Sequence, residues 1–154
     1  MSVRSVTARR MSGVAILEFA ICAPIMLLLM LATAEVGRLI YQYNTLTKSV
    51  RDAARFAVHT AAVGTTRVVN LTPLVRTQTR NIVVSGNVSG SGAPLLPGLA
   101  AENVSVTSDA NGFVSVSAVY TFIPALGPTL PSFGFGAPIN LTLPLTATVV
   151  MRAL

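Results

Sequence analysis

The sequence predicts an α+β protein in which a long N-terminal transmembrane-plus-amphipathic helix packs on a small antiparallel β-sheet head. Three observations carry this expectation. Residues 14–34, VAILEFAICAPIMLLLMLATA, form an apolar run whose only ionisable side chains are Glu18 and the weakly acidic Cys22. The stretch that follows keeps a helical period but confines its apolar residues to one face. From Glu102 onward, polar and apolar residues alternate in short segments bounded by Gly, Pro and Asp, as half-buried strands require.

The composition limits the function classes. A chain of 154 residues has room for one modest domain and an anchor, not for two independent cores. With 52% hydrophobic and 10% charged residues and a mean hydropathy of +0.68, it falls in the membrane class. The net charge of +6 resembles a nucleic-acid signature until the basic residues are placed. Arg4, Arg9 and Arg10 precede the apolar run, Arg38, Lys48, Arg51 and Arg55 lie on one helix, and the rest are scattered. No basic stripe interleaved with stacking aromatics emerges, which argues against nucleic acid. Cys22 is the sole cysteine, so no intrachain disulfide can form. His59 is the sole histidine and has no Cys or Asp/Glu cluster near it in sequence. No catalytic residue, metal site or cofactor is expected.

At 1.5 Å per residue, Val14–Ala34 spans about 31 Å, the thickness of a hydrocarbon core. Three arginines flank its N-terminal side, whereas Glu35 and Arg38 nearly cancel on the other. The positive-inside rule therefore puts residues 1–13 in the cytoplasm and the bulk of the chain outside it. Pro24 lacks an amide proton and is expected to bend the helix near Ala20. Beyond the run, Val36, Leu39, Tyr43, Leu46, Val50, Ala53 and Ala57 recur at three-four spacing and form a packing seam. Arg38, Lys48, Arg51, Asp52 and Arg55 fall off that seam, with Asp52 and Arg55 spaced to pair across one turn. Gly64 is the stop signal, giving one helix of roughly 75 Å.

A second helix is expected from Thr72, with Pro73 at its first position, to about Val84, and residues 85–98 read as loop. Segments 102–108 and 113–122 read as a hairpin around Asp109–Gly112. Residues 139–151 put Ile139, Leu141, Leu143, Leu145, Ala147, Val149 and Met151 on one face, while Pro144 marks that strand as an edge or as broken. So few strands with one apolar face cannot stand alone, and the helix seam is the cover. The resulting division is a basic leader (1–13), a transmembrane helix (14–34), its amphipathic continuation (35–64) and a small extracytoplasmic β-rich domain (65–154).

Glu18 is the anomaly, since a charge in the bilayer costs roughly 2.5–3.5 kcal/mol. Its neighbours supply a reason. Gly13, Glu18, Phe19, Pro24, Glu35, Gly37, Arg38, Ala53, Ala54 and Arg55 stand in the order and spacing that resembles the TadE-like family, the pseudopilins of tight-adherence (Flp, type IVb) pilus systems. The resemblance covers Gly13 to Ala57 and implies a membrane-anchored, non-enzymatic minor pilin or pseudopilin. It implies cleavage by a prepilin peptidase between Gly13 and Val14, which makes Glu18 the fifth mature residue and lets the new α-ammonium neutralise it. Glu18 and Phe19 then belong to the assembly contact. The implied partners are the peptidase, other pilins and the inner-membrane assembly platform, and the implied location is the bacterial inner membrane, with possible entry into the fibre.

A different class of function remains open on the same residues. Ala32-Thr33-Ala34 before Glu35 fits a signal-peptidase site behind a positively charged start. That reading yields a secreted binding or adhesion domain, and an uncleaved anchor yields a bitopic one. Glu18 counts against the signal peptide, because a carboxylate near the start of the apolar region weakens targeting.

Overall fold

The computed structural model describes residues 7–62, 69–125, 127–130 and 136–153. Gly64, the expected helix stop, and the first six residues of the expected leader lie outside these. The chain is α+β, with a long N-terminal apolar helix and a three-stranded antiparallel sheet. It divides into two compact units, Met1–Gly37 and Arg38–Leu154.

Helix α1 runs from Thr7 to Ala61, so it begins inside the expected leader and continues past Pro24. The first unit holds its apolar part, rich in Leu, Met, Ile and Ala, where straight-chain residues and alanine favour the helix. The second unit holds its amphipathic part. After Ala61 the chain turns back, and the amide of Asn70 donates to the Ala61 carbonyl at 2.9 Å. Helix α2, Pro73–Ser85, has both of its ends specified by sequence. Thr72 Oγ1 accepts from the Val75 amide at 3.3 Å, Pro73 occupies the first turn, and Gly86 takes a left-handed φ of 75° while its amide reaches the Ile82 carbonyl.

Strands β1 (Val104–Ser108), β2 (Phe113–Thr121) and β5 (Pro144–Arg152) form the sheet in the order β1-β2-β5. The turn between β1 and β2 is held by Asp109, whose Oδ1 accepts from the amides of Asn111 and Phe113 at 3.0 and 2.8 Å. A separate ribbon pairs β3 (Thr129–Leu130) with β4 (Ile139–Asn140). The single strand expected over 139–151 is therefore two. Asn140 Oδ1 accepts from the Thr142 amide at 2.8 Å, turning the chain between β4 and β5, and Pro144, at a position that faces the free edge of β5, starts the second strand. Ile139 and Leu143 are exposed, and only Leu145, Ala147, Val149 and Met151 turn inward.

The head's core joins Leu46, Val50, Ala53, Ala54 and Ala57 of α1 to Ile82 and Val83 of α2 and to the inner face of the sheet, including Val104, Val106, Val114, Val116 and Ala118. Small alanines let α1 approach the sheet, and each fully buried Val or Leu contributes about 1.5–3 kcal/mol. The outer face is mostly Ser and Thr, with Ser117 and Thr148 hydroxyls 2.8 Å apart. The two edges differ. Odd-numbered residues of β1 bond to β2, so the Val106 carbonyl points outward, and Arg76 Nη1 of α2 donates to it at 3.0 Å. The outward groups of Thr146, Thr148 and Val150 on β5 have no such partner among the described residues. Asp52 and Arg55 do not form the expected ion pair within 4.0 Å.

Two substitutions test this packing by denaturant unfolding of the full chain. Leu46→Ala, at a fully buried position, is expected to cost about 2–5 kcal/mol. Gly90→Ala places a Cβ 2.8 Å from the Asn81 side chain, at a φ of 71°, and displaces the amide that Asn81 donates to the Val88 carbonyl; a loss of about 1 kcal/mol or more is expected.

Candidate functional site

The candidate site is α1, and its two halves offer different surfaces. In the first, Val14, Ile16, Leu17, Phe19, Ile21, Ile25, Met26, Leu27, Leu29 and Met30 are all exposed, on every side of the helix. Such a surface is stable where the solvent is itself apolar, because a helix satisfies its own backbone groups. Helix α1 is long and apolar enough to cross a membrane.

The sequence-predicted residues lie in order along this surface. Gly13 has no atom near the space a Cβ would fill, and Val14 beside it is exposed. Glu18 follows five residues on, about 7.5 Å of helix rise. It is exposed and has no partner among the described residues. Phe19 is 72% exposed and projects from the neighbouring position. Pro24 stands inside the helix, and Cys22 is an exposed free thiol.

In the seam, Leu46, Val50, Ala53 and Ala57 are fully buried and Leu39 is half-buried, while Val36 and Tyr43 are exposed. One residue before each of these last two, Glu35 and Gln42 are buried, as is Ser49 one residue before Val50. These three polar residues repeat every seven positions. A hydropathy pattern assigns them to solvent, so the spacing was the only available signal. Ser49 Oγ donates to the Leu46 carbonyl at 2.9 Å, whereas Gln42 Oε1 has no partner.

Tyr120, on β2, is also buried with an unpartnered hydroxyl. Burial pushes its phenol above the ordinary value of 10.0, and the charge of Arg38 opposes that rise. Among the described residues no group of three His, Cys, Asp or Glu gathers to hold a metal.

A helix long and apolar enough to cross a membrane, in a chain that also carries a small α+β head, suggests the class of membrane-anchored proteins. Within it, the family model described as TadE-like protein matches residues 13–55, the segment from Gly13 to Arg55 that carries the resemblance. This segment is TadE-like, which points to a role in tight-adherence pilus systems, with α1 as the membrane anchor. No curated protein and no solved structure matches the chain.

Tyr120→Phe removes a buried hydroxyl that has no partner, and a gain of about 1 kcal/mol is expected in denaturant unfolding. The raised pKa adds a pH signature. The neutral phenol keeps its full contribution below the unfolded value near 10, and stability falls as pH rises beyond it. The variant is expected to lose less stability than the parent as pH rises above about 10.

Proposed function

We propose that the chain is a TadE-like minor pilin or pseudopilin acting in assembly of a tight-adherence pilus or a related secretion system. Residues 1–13 are a leader removed by a prepilin peptidase between Gly13 and Val14. Residues 14–34 span the inner membrane, 35–64 continue the helix, and 65–154 form an extracytoplasmic head that works by contact rather than by catalysis. The observation that carries this reading is Glu18, an exposed carboxylate in an otherwise apolar helical surface, five residues beyond Gly13.

The chemistry follows from the spacing. Cleavage at Gly13 creates an ammonium at Val14, and a carboxylate one helical turn away, on the same or a neighbouring chain, offsets its charge inside the lipid. Between neighbouring chains the pair also fixes depth, because a subunit displaced along the membrane normal leaves both charges unpaired. A glycine at the cut serves processing too. The helix passes through residue 13, and a protease needs the chain extended there; glycine lowers the cost of unwinding by roughly 1 kcal/mol relative to alanine. Phe19 beside Glu18 supplies contact area to a neighbouring helix, and Pro24 provides a point of bending in the span. The partners are the peptidase, other pilins and the assembly platform.

Two substitutions separate these roles. Gly13→Leu is expected to abolish maturation, read as retention of the precursor mass; normal maturation of that variant would remove the leader assignment. Glu18→Gln is expected to leave maturation intact and to reduce surface pili severalfold or more. Unchanged piliation by electron microscopy would make the carboxylate incidental.

A further inference from the structure

The head turns a second surface of α1 toward solvent, one that its packing does not use. At 100° per residue, Tyr41, Lys48, Arg51, Asp52, Arg55 and His59 centre on the side of the helix opposite Leu46, Ala53 and Ala57. All six are exposed. Lys48, Arg51 and Arg55 set three cations against one carboxylate at three-four spacing, and none of them forms an ion pair among the described residues. Arg51 and Arg55 are like charges one turn apart, an arrangement that mildly destabilises an isolated helix.

A groove of about 320 Å³ opens along the flank of this stripe. Thr45, Lys48, Ser49 and Asp52 form its α1 wall, and Ile82 and Leu95 give it an apolar floor. A groove with an apolar floor and Lys48 and Asp52 in its wall suits one anchoring side chain, with the charges beside it setting orientation.

We infer that this face docks an acidic amphipathic helix of another protein, with carboxylates at three-four spacing meeting Lys48, Arg51 and Arg55 and one apolar side chain entering the groove. A second copy does not fit. Its own stripe carries the same sign, and the acids on its head outside the stripe are the isolated Glu102 and Asp109. A lipid surface fits less well than a protein. Lys48 lies ten residues, about 15 Å of helix rise, beyond Arg38 where the head begins, and Arg55 about 25 Å beyond it. A Debye length at physiological salt is about 8 Å. The inference rests on the reading that the head works within an assembly, and it names the chemistry of one partner there.

The test uses the full chain in nanodiscs of zwitterionic lipid and two synthetic helical peptides of one composition and one net charge. One has glutamates at positions i, i+3 and i+7 beside a leucine, and the other distributes them around the helix. At about 0.15 M salt the patterned peptide is expected to bind at least about tenfold more tightly. Arg51→Glu with Arg55→Glu is expected to abolish that preference and to create binding of the patterned peptide with lysines in place of glutamates, a gain that a misfolded head cannot give. Equal binding of the two peptides would reduce the face to a solvated charge run and overturn the inference. So would self-association lost in the charge-reversed chain, or binding to phosphatidylglycerol vesicles that depends on Arg51 and exceeds peptide binding. Because the assay needs no processing, its failure in a chain whose mature end is Val14 counts against this docking face alone.

Discussion

The structure depends on one property of the α-helix: it satisfies its own backbone hydrogen bonds along its length, so its side chains alone decide which solvent it tolerates. Helix α1 uses that freedom twice. Between Val14 and Leu31 it exposes large apolar side chains in every direction, which only an apolar surround stabilises. From Leu46 to Ala61 it buries one narrow face of Leu, Val and Ala and leaves its charges outside. No change in backbone conformation separates the two regimes. The composition changes, and with it the medium in which each stretch is stable.

The rest of the head follows from the second regime. A three-stranded sheet with one apolar face is not independently stable, and its inner face must be covered. Alanines at 53, 54 and 57 admit close packing of α1, while α2 covers the side next to β1 and closes that edge through Arg76 and the Val106 carbonyl. The β5 edge is left with Pro144 at its start and Arg152 at its end, the latter stacked 5.6 Å from the centre of the Phe113 ring. Charge and proline at the ends of an edge strand discourage further strand pairing. Glu18 stands outside this packing, and its cost in lipid is intelligible only if something neutralises it there.

Much of this was legible in the residues. Helix α2 runs on to Ser85 and its Gly86 cap, just past the expected end near Val84, but its Thr72-Pro73 start, the apolar run and the Asp109 turn are set by local chemistry and appear where local rules put them. The hairpin did too, since Val104, Val106, Val114, Val116, Ala118 and Tyr120 alternate without interruption. What was not legible came from tertiary context. Hydropathy places Val36 and Tyr43 inward, whereas both are exposed; within the head Gln42 is buried in place of Tyr43, because which residue faces inward there depends on how the head packs and not on apolarity alone. Residues 139–151 alternate well enough to read as one strand, but a turn at Asn140 divides them and leaves Pro144 at the start of β5. The Gly13 and Glu18 spacing is legible in the residues and falls within the TadE-like segment 13–55, while the chemistry proposed for it needs a cleaved chain in a membrane.

The central claim is that Glu18 acts opposite a new N-terminus at Val14. It is tested most directly by intact-mass spectrometry with N-terminal peptide mapping of the protein purified from its native membranes. The account predicts a mature chain beginning at Val14, with or without a methylated amine. A chain beginning at Glu35, or one retaining Met1 or Ser2, would contradict it, since in neither case does the ammonium that Glu18 is placed to meet exist.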